Sequence, residues 1–225
     1  MTTLVVAAHP DDEALGCGGT IRRLADAGEH VEILFLADGE SSRTGGEVDS
    51  ELLKYRRRAA CAAAAILGAQ QPRFADFPDN RLDTVPLIEI VQAVESAVDD
   101  IRPDTVYTHH AYDLNIDHGL VSRAVVTACR PLPGHSVERL FAFEVLSSTE
   151  WQLADEHLAF VPDRFVNIAE QLDAKLAALE AYAEEMRPFP HSRSYEAVRA
   201  QATLRGAHSG LTAAEAFRTL RMIER

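Results

Sequence analysis

Residues 3–19 read T-L-V-V-A-A-H-P-D-D-E-A-L-G-C-G-G. The opening apolar run, rich in β-branched residues, has the composition of a buried strand. It ends abruptly in His9-Pro10-Asp11-Asp12-Glu13, and glycines at 16, 18 and 19 lead into a helical pattern. A strand followed by a helix and a second strand implies a right-handed crossover and a parallel pair. Residues 31–36 (V-E-I-L-F-L) supply the second strand, after a helix expected over about residues 18–27 with Gly28 as its stop.

The alternation continues along the chain. An alanine-rich helix is expected over residues 51–67, a strand over 74–77, and a helix from Pro86 to about residue 101. A strand at 105–108, a helix at 118–129 and a strand at 140–146 follow. This order predicts an α/β fold: a three-layer, mostly parallel sheet with helices on both faces. Beyond Trp151, helices are expected over residues 169–185, 195–205 and 213–223. The expected organisation is one domain over residues 1–225, with 1–145 as the core and 146–225 as a strand and helical part packed on it.

Ligands of such sheets bind beyond the carboxyl ends of the strands. His9–Asp12 and His109–His118 both follow predicted strands, so they are expected to share one crevice. Clustered carboxylates repel one another and call for positive charge. His9 and Asp12, three apart at a turn, can aim at one divalent ion. His118, opening a helix in the right part of the fold, is the expected third ligand. Two histidines and an aspartate with one position left for water is the pattern of catalytic zinc. Asp11 is then the expected general base, and Asp117 is suited to orienting an imidazole. His109, His110 and Asn115 are candidates to stabilise an oxyanion or protonate a leaving group. Arg43, in the polar loop after the second strand, and Asp79, in the F-P-D-N-R turn, are candidate substrate contacts. The basic run Lys54, Arg56, Arg57, Arg58 reads as a solvated helix face, with one arginine at a turn end as an alternative contact for an anionic substrate group, and Cys17 as a packing residue.

Composition bounds the partners. A net charge of −13 argues against nucleic acid and anionic membrane surfaces. No apolar run approaches the ~18 residues of a membrane span. No basic and apolar leader precedes the first strand, and the three cysteines are far apart. These features predict a cytoplasmic protein acting on a small molecule, with homo-oligomerisation left open.

The motif Ala8-His9-Pro10-Asp11-Asp12-Glu13, with residues 108–118 (T-H-H-A-Y-D-L-N-I-D-H), resembles the PIG-L/LmbE-like family of zinc-dependent N-deacetylases. Lesser echoes occur at Phe77-Pro78-Asp79, Arg205-Gly206 and Ala214-Glu215-Ala216-Phe217. The resemblance implies a Rossmann-like fold, one zinc ion per chain, and removal of an acetyl group from an N-acetylglucosamine-type sugar or conjugate. It implies His9, Asp12 and His118 as zinc ligands, Asp11 as general base, and an amino-sugar substrate. Amides of thiol-cofactor or antibiotic pathways are the alternative substrates within the family. One departure stands out: many members carry histidine three residues before the last ligand, where this chain has Asn115. The imidazole that serves the oxyanion in those members is then expected from His109, His110 or another part of the chain. Outside the family, a metal phosphoesterase and a non-catalytic sugar- or nucleotide-binding domain are the competing readings.

Overall fold

The computed structural model describes residues 1–40, 50–153, 155 and 157–224. Strands β1 (Thr2–Ala7) and β2 (His30–Ala37) flank helix α1 (Asp12–Asp26) and pair in parallel. Helix α2 (Ser50–Leu67), strand β3 (Arg73–Phe77), helix α3 (Leu87–Ile101) and strand β4 (Thr105–His109) follow. Then come helix α4 (Ile116–Ala128), strand β5 (Arg139–Phe143), strand β6 (Arg164–Asn167), helices α5 (Leu172–Ala181) and α6 (Tyr195–Ala207), and strand β7 (Ala214–Met222). One seven-stranded sheet results, in the order β3-β2-β1-β4-β5-β7-β6. Its pairs from β3 to β5 are parallel, and β7 runs antiparallel to both neighbours.

The period-2 alternation of β1 feeds two cores. Val5 and Ala7 pack with residues of α1, α2 and α5, whereas Leu4 and Val6 pack with α3 and α4. Helices therefore cover both faces, as the alternation of elements requires. Since β1 lies between β2 and β4, the chain leaves β1 in one direction and returns on its other side. The crevice beyond the carboxyl ends of β1 and β4 is the switch point of the sheet.

Three elements differ from the sequence expectation. Residues 214–222 form β7, not a helix. Their Ala, Glu, Leu and Arg content favours a helix, but pairing with β5 and β6 on both sides decides the outcome. Strand β6 carried no periodicity long enough to announce it. Helix α1 begins at Asp12, six residues earlier than expected, and is interrupted at Cys17 (φ −144°, ψ 21°). The interruption frees the Leu15 carbonyl, which accepts from Lys175 Nζ at 2.8 Å. Glu215 on β7 accepts the Gly19 and Thr20 N–H groups at 2.9 and 2.7 Å and pairs with Lys175 at 2.6 Å. This buried pair closes the broken ladder of α1. The glycines allow close approach: a Cβ on Gly19 would meet Ile168 at 2.8 Å, and one on Gly16 would meet Phe143 at 2.3 Å.

Candidate metal centre and adjoining cavity

Strand β1 delivers His9, Pro10 and Asp11 to the crevice, and α1 opens with Asp12 and Glu13. Strand β4 ends in His109 beside β1. Helix α4 starts after its N-cap Asn115, whose side chain accepts from the Asp117 N–H at 2.9 Å. That cap sets Asp117 and His118 in the first helical turn.

His9, Asp12 and His118 each offer a ligand atom, and these atoms lie within 4.8 Å of one another. Asp12 Oδ2 accepts the His9 N–H at 2.9 Å and sits 3.3 Å from both His9 Nδ1 and His118 Nε2. Asp12 Oδ1, buried, has no hydrogen-bond partner among the described residues. The His118 nitrogens lie 3.3 and 3.2 Å from Asp12 and Asp113, but neither contact has the alignment of a hydrogen bond. Buried polar atoms are rarely left unpartnered. Two imidazoles and a carboxylate so arranged fit a zinc-type ion. Outer carboxylates brace both rings: Asp117 lies 3.1 Å from His9 Nε2, and Asp113 3.2 Å from His118 Nδ1. Asp113 accepts in turn from Ser148 Oγ and, at 2.7 Å, from Thr149 Oγ1. Such partners fix ring orientation in metal sites.

The electrostatics have one sign. Burial pulls His118 down, but Asp12 and Asp113 outweigh it and raise its imidazole to about 9. Burial likewise opposes the charging of His9, yet Asp117, Asp12 and Asp79 lift it well above its ordinary value. Asp12 is held well below the usual carboxylate range by His118 and His109, against its own burial. The cluster favours positive charge at its centre.

Asp11 faces elsewhere. It lines a cavity of about 130 Å³ with His9, Asp79, Asn80, Asn115, Arg56 and Arg193. Arg193 donates to Asp11 Oδ2 at 2.6 Å and to Ser147 Oγ at 2.7 Å. Burial raises the Asp11 carboxyl to about 6, with Arg193 holding it from rising further. Arg56, expected on a solvated helix face, is buried on the cavity wall, where Glu40 (2.8 Å) and Glu185 pair with it. The sequence expectation for that arginine is corrected: Arg56 alone of the run is buried, and its burial is offset by two carboxylates, while Lys54 and Arg58 stay exposed.

The other expected site residues separate. Asp79 lines the cavity, 3.2 Å from His9 Nε2, and Asn115 Nδ2 donates to Asn80 Oδ1 at 3.1 Å. His109 is fully buried; its Nε2 accepts the Ala8 N–H at 2.8 Å and its ring stacks on His118. His110 bonds to the Leu158 carbonyl at 2.9 Å and packs against Tyr112 and Phe160. Neither ring is among the residues lining the cavity. Arg43 lies outside the described residues. Sequence reasoning missed Asp113, Arg193, Glu185 and the Glu13–Tyr182 pair. Asp113 had a signal in its position between the strand end and the helix cap, whereas Arg193 arrives from a distant loop that no local pattern marks.

A family model described as PIG-L, GlcNAc-PI de-N-acetylase, matches residues 4–129. The chain belongs to the PIG-L family. It is 31% identical over 185 residues to the uncharacterized deacetylase YaiS of Escherichia coli, covering 80% of this chain and 89% of that one. It is 30% identical to the probable N-acetyl-alpha-D-glucosaminyl L-malate deacetylase 2 of Bacillus cereus, covering 81% and 82%. In fold it is similar to the N,N'-diacetylchitobiose deacetylase of Pyrococcus horikoshii, with TM-score 0.78, 22% identity and coverage of 98% and 84%. It is equally similar to GalB, the 4-carboxy-2-hydroxymuconate hydratase of Pseudomonas putida, with TM-score 0.78, 24% identity and coverage of 100% and 98%. The fold thus hosts more than one reaction, and activity is decided by the residues of the site.

Proposed function

We propose that this protein is a metal-dependent hydrolase that removes the acetyl group from an N-acetylglucosamine-type sugar or sugar conjugate. The observation that carries this reading is the convergence of His9, Asp12 and His118, with Asp12 Oδ1 and His118 Nε2 buried and without a hydrogen bond among the described residues, beside a cavity walled by Asp11. Deacetylase relatives that cover most of the chain support the choice of reaction.

His9, Asp12 and His118 would hold one zinc ion. Bound there, zinc supplies Lewis acidity toward an amide carbonyl and acidifies water. The remaining chemistry belongs to the chain. Asp11 accepts the proton of the attacking water and returns it to the departing amine nitrogen, so one carboxylate serves as base and then acid. Arg193 keeps that carboxylate oriented and partly neutralised. Of the three candidates for the oxyanion, Asn115 is the one on the cavity wall, and its amide N–H is assigned that role. Asp79 and Asn80, which line the same cavity, would bind sugar hydroxyls. The products are acetate and the free amino sugar. None of the described helices is long and apolar enough to cross a membrane, and action on a small substrate in the cytoplasm belongs to the same proposal.

The test is acetate release from free, nucleotide-linked, lipid-linked and inositol-linked N-acetylated amino sugars, with and without chelator. Chelator-sensitive release with one metal per chain is expected. Two metals per chain with phosphate release instead would assign the site to a phosphoesterase.

A further inference from the structure

We propose that Glu13 is a positioning residue: its carboxylate pins the backbone of Asp11 and thereby turns the Asp11 side chain away from the helix and into the cavity. This rests on the reading of Asp11 as the base.

Asp11 has φ 129° and ψ −27°. A non-glycine residue at such a φ costs on the order of 1–3 kcal/mol and persists only where its surroundings over-determine it. Those surroundings are visible on both sides of the residue. The Asp11 carbonyl accepts from the Ala14 and Leu15 N–H groups at 3.1 and 2.9 Å. The Asp11 N–H donates to Glu13 Oε2 at 3.0 Å. The second oxygen, Glu13 Oε1, accepts from Tyr182 Oη at 2.7 Å, and Tyr182 caps the carboxyl end of α5. Glu13 is fully buried, and both of its oxygens are committed.

The consequence lies in where the Asp11 carboxylate goes. An aspartate at a helix N-cap ordinarily has extended backbone and folds its oxygen onto the N–H groups of the first turn. Asp11 occupies the N-cap of α1 and makes no such bond. It reaches Arg193 and the cavity instead. Glu13 does what the glutamate of a capping box does, reaching back to the N-cap N–H, but from one position earlier and without the reciprocal bond. A cap residue is thereby released for other work.

Glu13→Leu deletes both hydrogen bonds at similar volume. Glu13→Gln keeps an oxygen for the Asp11 N–H and an amide group for Tyr182. Tyr182→Phe removes one hydroxyl and covers the case in which the leucine variant does not fold. Crystal structures, metal content and steady-state kinetics of the three variants form the test. In Glu13→Leu, Asp11 is expected to leave the positive-φ region and kcat to fall about 100-fold, the scale of a misplaced reacting group, with KM and bound metal near wild type. Glu13→Gln is expected to restore the Asp11 conformation and most of the lost kcat, and Tyr182→Phe to give an intermediate loss. Three results overturn the proposal: an Asp11 that keeps its φ and its Arg193 contact in Glu13→Leu, a glutamine variant as impaired as the leucine one, or wild-type kcat in Tyr182→Phe. If the wild-type protein itself releases no acetate, the functional reading fails instead, and the Asp11 backbone in the variant crystals alone decides the role of Glu13.

Discussion

Asp12 concentrates the demands of the centre. One oxygen holds the His9 backbone and faces the His9 and His118 imidazoles, and the other has no hydrogen-bond partner among the described residues. Removing its neighbours should separate binding from chemistry. Asp11→Asn is expected to keep the metal and lose about 10²–10⁴-fold in turnover, the usual worth of a positioned base. His9→Ala is expected to lose the metal, and metal analysis beside acetate assays distinguishes the two. Asp113→Ala should weaken metal affinity about 10–100-fold by freeing the His118 ring, as loss of an outer carboxylate does in such sites; titration with a competing chelator measures it. At this scale the sequence was legible where residues follow a strand end directly. His9 and Asp12 were marked that way and His118 by the helix it opens, and the structure brings the three together. His109 ends β4 and His110 follows it, yet one is bonded to Ala8 and the other to Leu158, because adjacent positions on an extended chain face opposite ways. Arg193 was invisible because its approach to Asp11 spans 182 residues.

Among the elements, α1 carries the most consequence. Its first turn holds Asp12, and its broken ladder at Cys17 is closed by Lys175 and Glu215, from α5 and β7. Breaking a buried ion pair by removing one partner strands the other charge. Lys175→Met is therefore expected to destabilise the fold by about 3–5 kcal/mol, read as a lower urea midpoint. A variant that melts like wild type would mean that water replaces the lysine. Strand β2, an apolar run between Gly28 and Gly39, and strand β3, between Pro72 and Pro78, were legible because glycine and proline bound them. Strand β7 was not, since its residues favour a helix and only its two antiparallel neighbours make it a strand.

Across the whole molecule, the sheet order separates stability from function. The carboxyl ends of β1 and β4 hold the site, while their amino ends are tied by Asp104, which accepts from the Thr2 N–H at 2.9 Å, from Thr105 Oγ1 at 2.7 Å and from Arg139. Partial burial opposes ionisation of Asp104, but Thr105, Thr2 and Arg139 outweigh it and lower its pKa. A carboxylate depressed in the folded state stabilises above its unfolded value, about 3.9, and that contribution is lost as pH falls through the lower folded value. Wild type should thus be more stable than Asp104→Ala at pH 7, and the gap should narrow below about pH 4; urea melts at both pH values check this. Catalysis by Asp104→Ala is expected to be unchanged at neutral pH, because the residue lies at the opposite end of the strands from the site. The central claim concerns the site end: His9 and Asp12 from one turn and His118 from a distant helix grip a single ion. Anomalous diffraction from zinc-soaked crystals measures this directly. One peak bounded by His9, Asp12 and His118 is predicted; a peak bounded by His9, Asp79 and Asp117, whose ligand atoms also lie within 4.8 Å of one another, or no peak in the crevice, would contradict it.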